Sequence, residues 1–329
     1  MDNRPIGIFD SGLGGLTVLK EIRHILPNEN IVYFGDCGRA PYGVKSPETI
    51  RRYTFQNIRF FMEIGVKLLV IACNTSSACA YGPVTDALDI PVVEVIRPGS
   101  RETARVTRNR KIGIIGTTAT IASRVYEDVF KQIDPAISVF TKACPLFVPL
   151  AEEGPQWWGH ESSYTIAEEY LSGLRSTGID SLLLGCTHYP LLGGVIRKVV
   201  GEGIELVSSG SAVASEVFSK LSELGLLRAG AERDGAGRTG AERAGTERAS
   251  AERVRTERTG AERDGAERDG AERAGMQHDM PANSPSAAIE FYTSDSPEKF
   301  EPLCGAILGE QANSRAQWLD IEKYESRIV

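Results

Sequence analysis

Apolar and polar positions follow two rhythms along this chain. Short, almost continuous apolar runs occur at 5–10 ("PIGIFD"), 30–36 ("NIVYFGD"), 67–74 ("KLLVIACN") and 91–96 ("PVVEVI"). Between them the apolar residues recur every three or four positions, as at Val18, Leu19, Ile22, Ile25 and Leu26. The first rhythm predicts buried strands, the second amphipathic helices. A second set of runs follows at 111–116 ("KIGIIG"), 137–145, 181–186 and 204–209. This alternation predicts an α/β protein of two similar halves, each a parallel-type sheet with helices on both faces. Pro98-Gly99, between the two sets, is the expected crossing point.

The pattern stops at 229–275, where Gly, Ala, Glu, Arg, Asp and Thr repeat with a period of five. Five residues turn an α-helix by about 500°, so successive repeats point in different directions and no apolar face forms. Glycine costs about 1 kcal/mol against alanine at each helical position. Val254 is the sole sizeable apolar residue of the stretch. A solvated insert is the expected reading. Strand-then-helix patterning resumes at 288–308, so the insert should interrupt a domain rather than separate two.

Composition narrows the functional classes. The formal net charge is −7, and outside the repeat the basic residues do not cluster, which argues against direct nucleic-acid binding. The chain opens straight into a strand, which predicts neither an export signal nor a membrane span, and hence a cytoplasmic protein. Six scattered cysteines without a C-x-x-C pair are expected to stay reduced there. None of the four histidines has ligand spacing to a cysteine, so no metal site is expected.

In open parallel sheets, ligands gather where strands end and helices begin. Asp10 ends the first strand, and Gly12, Gly14 and Gly15 turn the chain into a helix. Those free N–H groups would suit a carboxylate or phosphate, although Ser11 could equally be a helix cap. Asp36 ends the second strand before a Pro-Tyr-Gly loop, a weak signal alone. Cys73 ends the third, followed at once by Asn74 and Thr75; in the second half Cys186, Thr187 and His188 take the same place, and Thr117, Thr118 and Thr120 follow a glycine turn. Most free cysteines are inert small hydrophobes, which fits Cys79, Cys144 and Cys304. Two halves packed face to face would bring Cys73 and Cys186 to one cleft. A thiol on each side of a carbon acid suits stereoinversion, one thiolate removing a proton and the opposite thiol returning one. Asp10 is the expected acid–base neighbour of one sulfur and His188 of the other.

The motifs "FDSGLGGLTV", "FGD…PYGVKS", "ACNTSSA", "VPLAEEG" and "LLLGCTHYPLL", in that order, resemble those of the glutamate racemase family within the aspartate/glutamate racemase superfamily. The resemblance covers residues 5–225 and 288–308. It implies two pseudo-symmetric domains with the active site in the cleft between them. The first would comprise 1–97 plus 208–329, containing the low-complexity insert at about 229–287, and the second 98–207. It further implies an enzyme that interconverts L- and D-glutamate without a cofactor and supplies D-glutamate for peptidoglycan. Cys73 and Cys186 would be the acid–base pair. Asp10, Ser11, Tyr42, Gly43, Asn74, Thr75, Thr117, Thr120, Thr187 and His188 would hold the substrate, with Asp36 and Glu152 as supporting acid–base residues. A homodimer is left open.

Three departures stand out: Cys37-Gly38 in place of Thr-Ala, the aromatic stretch 154–163, and the insert. The alternatives are a related racemase or isomerase for aspartate, hydantoin or maleate, a thiol redox protein, and a non-enzymatic amino-acid binder.

Overall fold

Every apolar run becomes a strand, and those in the middle of the sheets are buried on both faces, the signature of a parallel sheet enclosed by helices. The computed structural model describes residues 2–228, 287–309 and 315–324. Its strands are β1 (Ile6–Asp10), β2 (Ile31–Gly35), β3 (Leu68–Ile71), β4 (Val92–Glu94), β5 (Lys111–Gly116), β6 (Ser138–Ala143), β7 (Ser181–Gly185), β8 (Glu205–Val207), β9 (Ile289–Thr293) and β10 (Ala316–Trp318). The helices are α1 (Leu16–Ile25), α2 (Pro47–Ile64), α3 (Asn74–Ala87), α4 (Ile96–Val106), α5 (Thr118–Ala122), α6 (Val125–Ile133), α7 (Phe147–Glu152), α8 (Pro155–Trp158), α9 (Glu161–Arg175), α10 (Gly193–Val200), α11 (Gly210–Glu223) and α12 (Pro297–Leu308).

All strand pairings are parallel. The first sheet has the order β10-β9-β2-β1-β3-β4, and the second β6-β5-β7-β8. Within the first, β2-β1-β3-β4 repeats the order of the second. In each sheet the chain winds outward in opposite directions from the central pair, β1/β3 in one and β5/β7 in the other. That reversal opens a crevice at the carboxyl ends of the central strands, the place where such sheets bind ligands.

Local chemistry explains the element ends. Ser46 caps α2 by accepting from Thr49 N, Pro47 follows, and Gly65 closes the helix in the left-handed region at φ 78°. Pro98-Gly99 does not form a loop. It lies in the first turn of α4, where proline's missing N–H does no harm. The Glu94 carboxylate caps that helix, accepting from Ile96 N at 2.5 Å and Arg97 N at 2.8 Å. The crossing between the two sets of strands is therefore a capped helix, packed on α6, α11, β7 and β8.

The pentad repeat lies outside the described residues, but its two flanks do not. Arg228 N donates to Glu29 Oε1 at 2.8 Å, and Ala288 N donates to Asn30 Oδ1 at 3.1 Å. The chain thus leaves and re-enters at adjacent residues of one turn, and β9 then pairs with β2 inside the first sheet. Glu29 also pairs at 2.6 Å with Lys67, both side chains wholly buried. Lys67 Nζ further donates to the carbonyls of Asp2 (2.9 Å) and Leu226 (2.8 Å), fastening the N-terminus and the end of α11 to the sheet.

Two outcomes follow from this arrangement. Deletion of 229–275 should leave the thermal midpoint and turnover unchanged; a drop in either would show that the repeat supports the fold. Lys67→Met strands the Glu29 charge in a dry site and should cost about 3–5 kcal/mol in urea unfolding. A loss below about 1 kcal/mol would show that water reaches the pair.

Candidate active site

The carboxyl ends of β1, β3, β5 and β7 meet, and the predicted residues gather there. Cys73 follows β3 and is the N-cap of α3, its sulfur accepting from Ser76 N at 3.5 Å. Its thiol donates to Ser11 Oγ at 3.5 Å. Ser11 is therefore not the cap of α1, a place taken by Gly15. Burial, with the nearby Asp10 carboxylate second, pushes the Cys73 thiol up to about 11, against the lowering effect of Ser11 and Ser76. A helix N-terminus favours thiolate, yet here desolvation wins.

Cys186 follows β7 and has different company. Its Sγ lies 3.7 Å from His188 Nδ1, and His188 Nε2 lies 3.0 Å from Glu152 Oε1. Burial works against charge on His188, but the Cys186 sulfur and the Glu152 carboxylate outweigh it and hold the imidazolium well above its ordinary range. Glu152 itself is partly exposed, its side chain retaining 28% of its accessible surface. Trp158 Nε1 donates to the carbonyl of Ala151 at 2.8 Å, which pins the end of α7 that carries Glu152. The aromatic stretch 154–163 thereby acquires a structural account.

Hydrogen bonds tie the two sheets' edges together. Thr187 Oγ1 donates to Asp10 Oδ1 at 3.2 Å, while Gly12 N donates to Asp10 Oδ2 at 3.0 Å. Thr17 Oγ1 reaches the Thr187 carbonyl at 3.1 Å. Asp10 is fully buried, and burial raises its carboxyl although His188 and these donors oppose the shift. Three hydroxyls form a triangle, with Thr75 Oγ1 3.0 Å from Thr117 Oγ1 and 3.2 Å from Thr120 Oγ1, and 2.9 Å between the last two. Gly43 lies against the same cluster: a methyl built there would stand 2.3 Å from Thr117 Cβ, so only glycine fits.

Asp36 lies behind this surface rather than on it. It accepts from the Tyr42 hydroxyl, from Arg39 Nε at 2.8 Å and from Ser294 Oγ at 2.7 Å. Asn57 Nδ2 also donates to the Tyr42 hydroxyl, at 3.1 Å. Asp36 is thus placed to orient the Tyr42–Gly43 turn, and its own oxygens are occupied by these donors. The Cys37-Gly38 departure has a packing reason on one side: Gly38 N donates to Ser294 Oγ, and a methyl on Gly38 would stand 2.8 Å from the Ser294 carbonyl oxygen.

Comparison with known proteins places the chain in a family. Residues 7–217 match the family described as Asp/Glu/Hydantoin racemase. A glutamate racemase of Geobacter metallireducens is 53% identical over 229 residues, 70% of this chain and 84% of that protein. The chain belongs to the Asp/Glu/hydantoin racemase family. A glutamate racemase of Bacillus cereus is 45% identical over 230 residues, 70% of this chain and 85% of its own length. Among solved structures, a glutamate racemase isoform of Bacillus anthracis superposes with a TM-score of 0.76 at 30% identity, covering 97% of this chain and 98% of that one. The Francisella tularensis enzyme, solved with D-glutamate, gives 0.76 at 31% identity over 98% and 100% of the two chains.

In this racemase, sequence patterning missed Tyr126, which accepts from Asn74 Nδ2 at 2.9 Å. It also missed Arg39, which binds Asp36, Gln56 and Asn57 and stacks on Tyr53. Tyr126 is an interior residue of an amphipathic helix and carries no motif signal; Arg39 adjoins the FGD motif but looks like an ordinary loop cation. Among the described residues no cluster of His, Cys, Asp or Glu could hold a metal ion, and no helix is long and apolar enough to cross a membrane.

The His188 environment gives a pH test. A raised folded pKa contributes stability that is full below the unfolded value of about 6.5 and fades as pH rises through the folded value. Glu152→Gln removes one of the groups that raise it. The wild-type margin over E152Q in chemical denaturation should therefore be largest near pH 6 and close toward alkaline pH. A margin independent of pH would mean that the carboxylate does not hold the imidazolium.

Proposed function

We propose that this racemase interconverts L- and D-glutamate by a two-base mechanism in which Cys73 and Cys186 act from opposite faces of Cα. The observation that carries the reading is the pair of thiols at equivalent strand ends, each with its own polar company, joined through Ser11–Asp10–Thr187. In one direction a thiolate takes the α-proton, and the opposite thiol delivers its own proton to the other face. The electron pair left by the broken C–H bond forms the new one, so no oxidant or reductant enters. The second thiolate and the first thiol must then exchange a proton before the next turnover in that direction.

The α-proton of glutamate is a weak acid, and the developing negative charge needs fixed dipoles. The hydroxyls of Ser11, Thr75 and Thr187 and the 11–15 turn are the groups suited to this, with Thr117 and Thr120 toward a carboxylate. The His188–Glu152 pair offers a counter-charge when Cys186 carries the negative charge. Asp10 faces Cys73, and its buried carboxylate favours the protonated thiol there. The two thiols thus have different neighbours, a carboxylate beside Cys73 and an imidazole beside Cys186. Residues 1–97 plus 208–329 and residues 98–207 are proposed to act as two domains that clasp the substrate. The relatives' glutamate racemase names support glutamate as substrate. Supply of D-glutamate to peptidoglycan, and so to cell wall and shape, is the proposed use, in the cytoplasm.

Purified protein given L-glutamate, without added cofactor, should lose its circular dichroism signal as the racemate forms, and L- or D-aspartate should give little change. Cys73→Ser and Cys186→Ser should each lower racemisation by at least about a hundredfold, the scale of a lost acid–base group. Wild-type turnover by either single mutant would overturn the two-thiol assignment, and preference for aspartate would overturn the substrate.

A further inference from the structure

Resting on the racemase reading above, we propose that Tyr126 is a positioning residue that spans the two halves of the site, aiming the Asn74 carboxamide beside Cys73 while buttressing the strand end that bears Cys186. Tyr126 lies in α6, beside the second sheet, and is 1% exposed. Its hydroxyl receives Asn74 Nδ2 at 2.9 Å, across from the first sheet. The edge of its ring covers Gly185: a methyl built on that glycine would lie 3.1 Å from Tyr126 Cε2 and 3.3 Å from its hydroxyl oxygen. Gly185 immediately precedes Cys186, and Asn74 immediately follows Cys73. One side chain therefore touches the neighbour of each thiol.

The polar accounting points the same way. Asn74 is 2% exposed, and its Nδ2 is bound to Tyr126, while its Oδ1 is buried with no hydrogen-bond partner among the described residues. A buried, unsatisfied carbonyl oxygen is costly unless a ligand supplies a donor. An ammonium group on the substrate is a donor of the right class. In the observed arrangement Nδ2 is committed to the phenol, which leaves Oδ1 for a ligand. Without the phenol the carboxamide can turn over and present N–H groups instead, which would repel an ammonium. Burial raises the Tyr126 phenol, with Asn74 as its opposing partner, so the hydroxyl remains neutral throughout the working range.

The test is Tyr126→Phe, which keeps the ring on Gly185 and removes the hydroxyl. KM for glutamate should rise about tenfold in both directions with kcat held within about threefold, because aim is lost while the thiol spacing is kept. In an Asn74→Ala background, adding Y126F should change KM less than about twofold, since the group it positions is gone. Wild-type kinetics in Y126F, or an effect that multiplies fully with N74A, would overturn the proposal. A second readout does not rely on the variant folding or on turnover. In 15N-labelled wild-type protein, the Asn74 side-chain amide should show a proton protected from solvent exchange, and a freely exchanging carboxamide would overturn the link. If wild-type protein fails to racemise glutamate yet shows this protection, the substrate reading fails while the Tyr126–Asn74 link stands.

Discussion

A carboxylate with no access to water must be surrounded by donors, and Asp10 meets that demand from both halves of the chain. One oxygen accepts the Gly12 N–H of its own turn and the other the Thr187 hydroxyl from beyond β7. Because the first donor is local and the second lies 177 residues away, satisfying Asp10 also brings the two switch points together. Leaving such a group half satisfied would cost several kcal/mol. The relative placement of the two sheets' edges and the polarity of the site are thus one constraint.

The topologically repeated cores carry different electrostatics. Cys73 sits at a helix N-terminus, beside a carboxylate and two serines; Cys186 sits beside an imidazole backed by a carboxylate. The strand order is the same, so the difference comes from side chains in the loops. Two near-equivalent halves thus place their sulfurs in different surroundings, the Cys73 thiol raised by burial and Asp10, Cys186 in contact with an imidazole. The threonine triangle, by contrast, draws on both halves at once, Thr75 from one and Thr117 and Thr120 from the other.

Supports lie behind the groups of the site. The Asp36–Arg39–Asn57 cluster fixes Tyr42, and Gly43 then packs on Thr117. The buried Lys67–Glu29 pair anchors the flanks of the pentad repeat to the far end of the same sheet. Arg228 and Ala288 therefore lie at the amino ends of the strands, opposite the carboxyl ends where the site is built.

The local code was sufficient for the α/β class and for nearly every strand, and it singled out the thiols and neighbours that the fold brings together. Buried parallel strands read as continuous apolar runs, and chemistry at strand ends breaks such runs abruptly, so Cys73, Asn74, Thr75, Cys186, Thr187 and His188 announced themselves. Strand β10, Ala-Gln-Trp and largely exposed, contains no apolar run to read. Pro98-Gly99 looked like a break because proline and glycine usually are, whereas the Glu94 cap lets them begin a helix. Tertiary structure alone decided which group faces which. Ser11 meets Cys73 instead of capping α1, Asp36 withdraws behind Tyr42, and Tyr126 reaches Asn74. These are contacts between residues distant in the chain, set by how helices pack over a twisted sheet, and one-dimensional spacing holds no record of them.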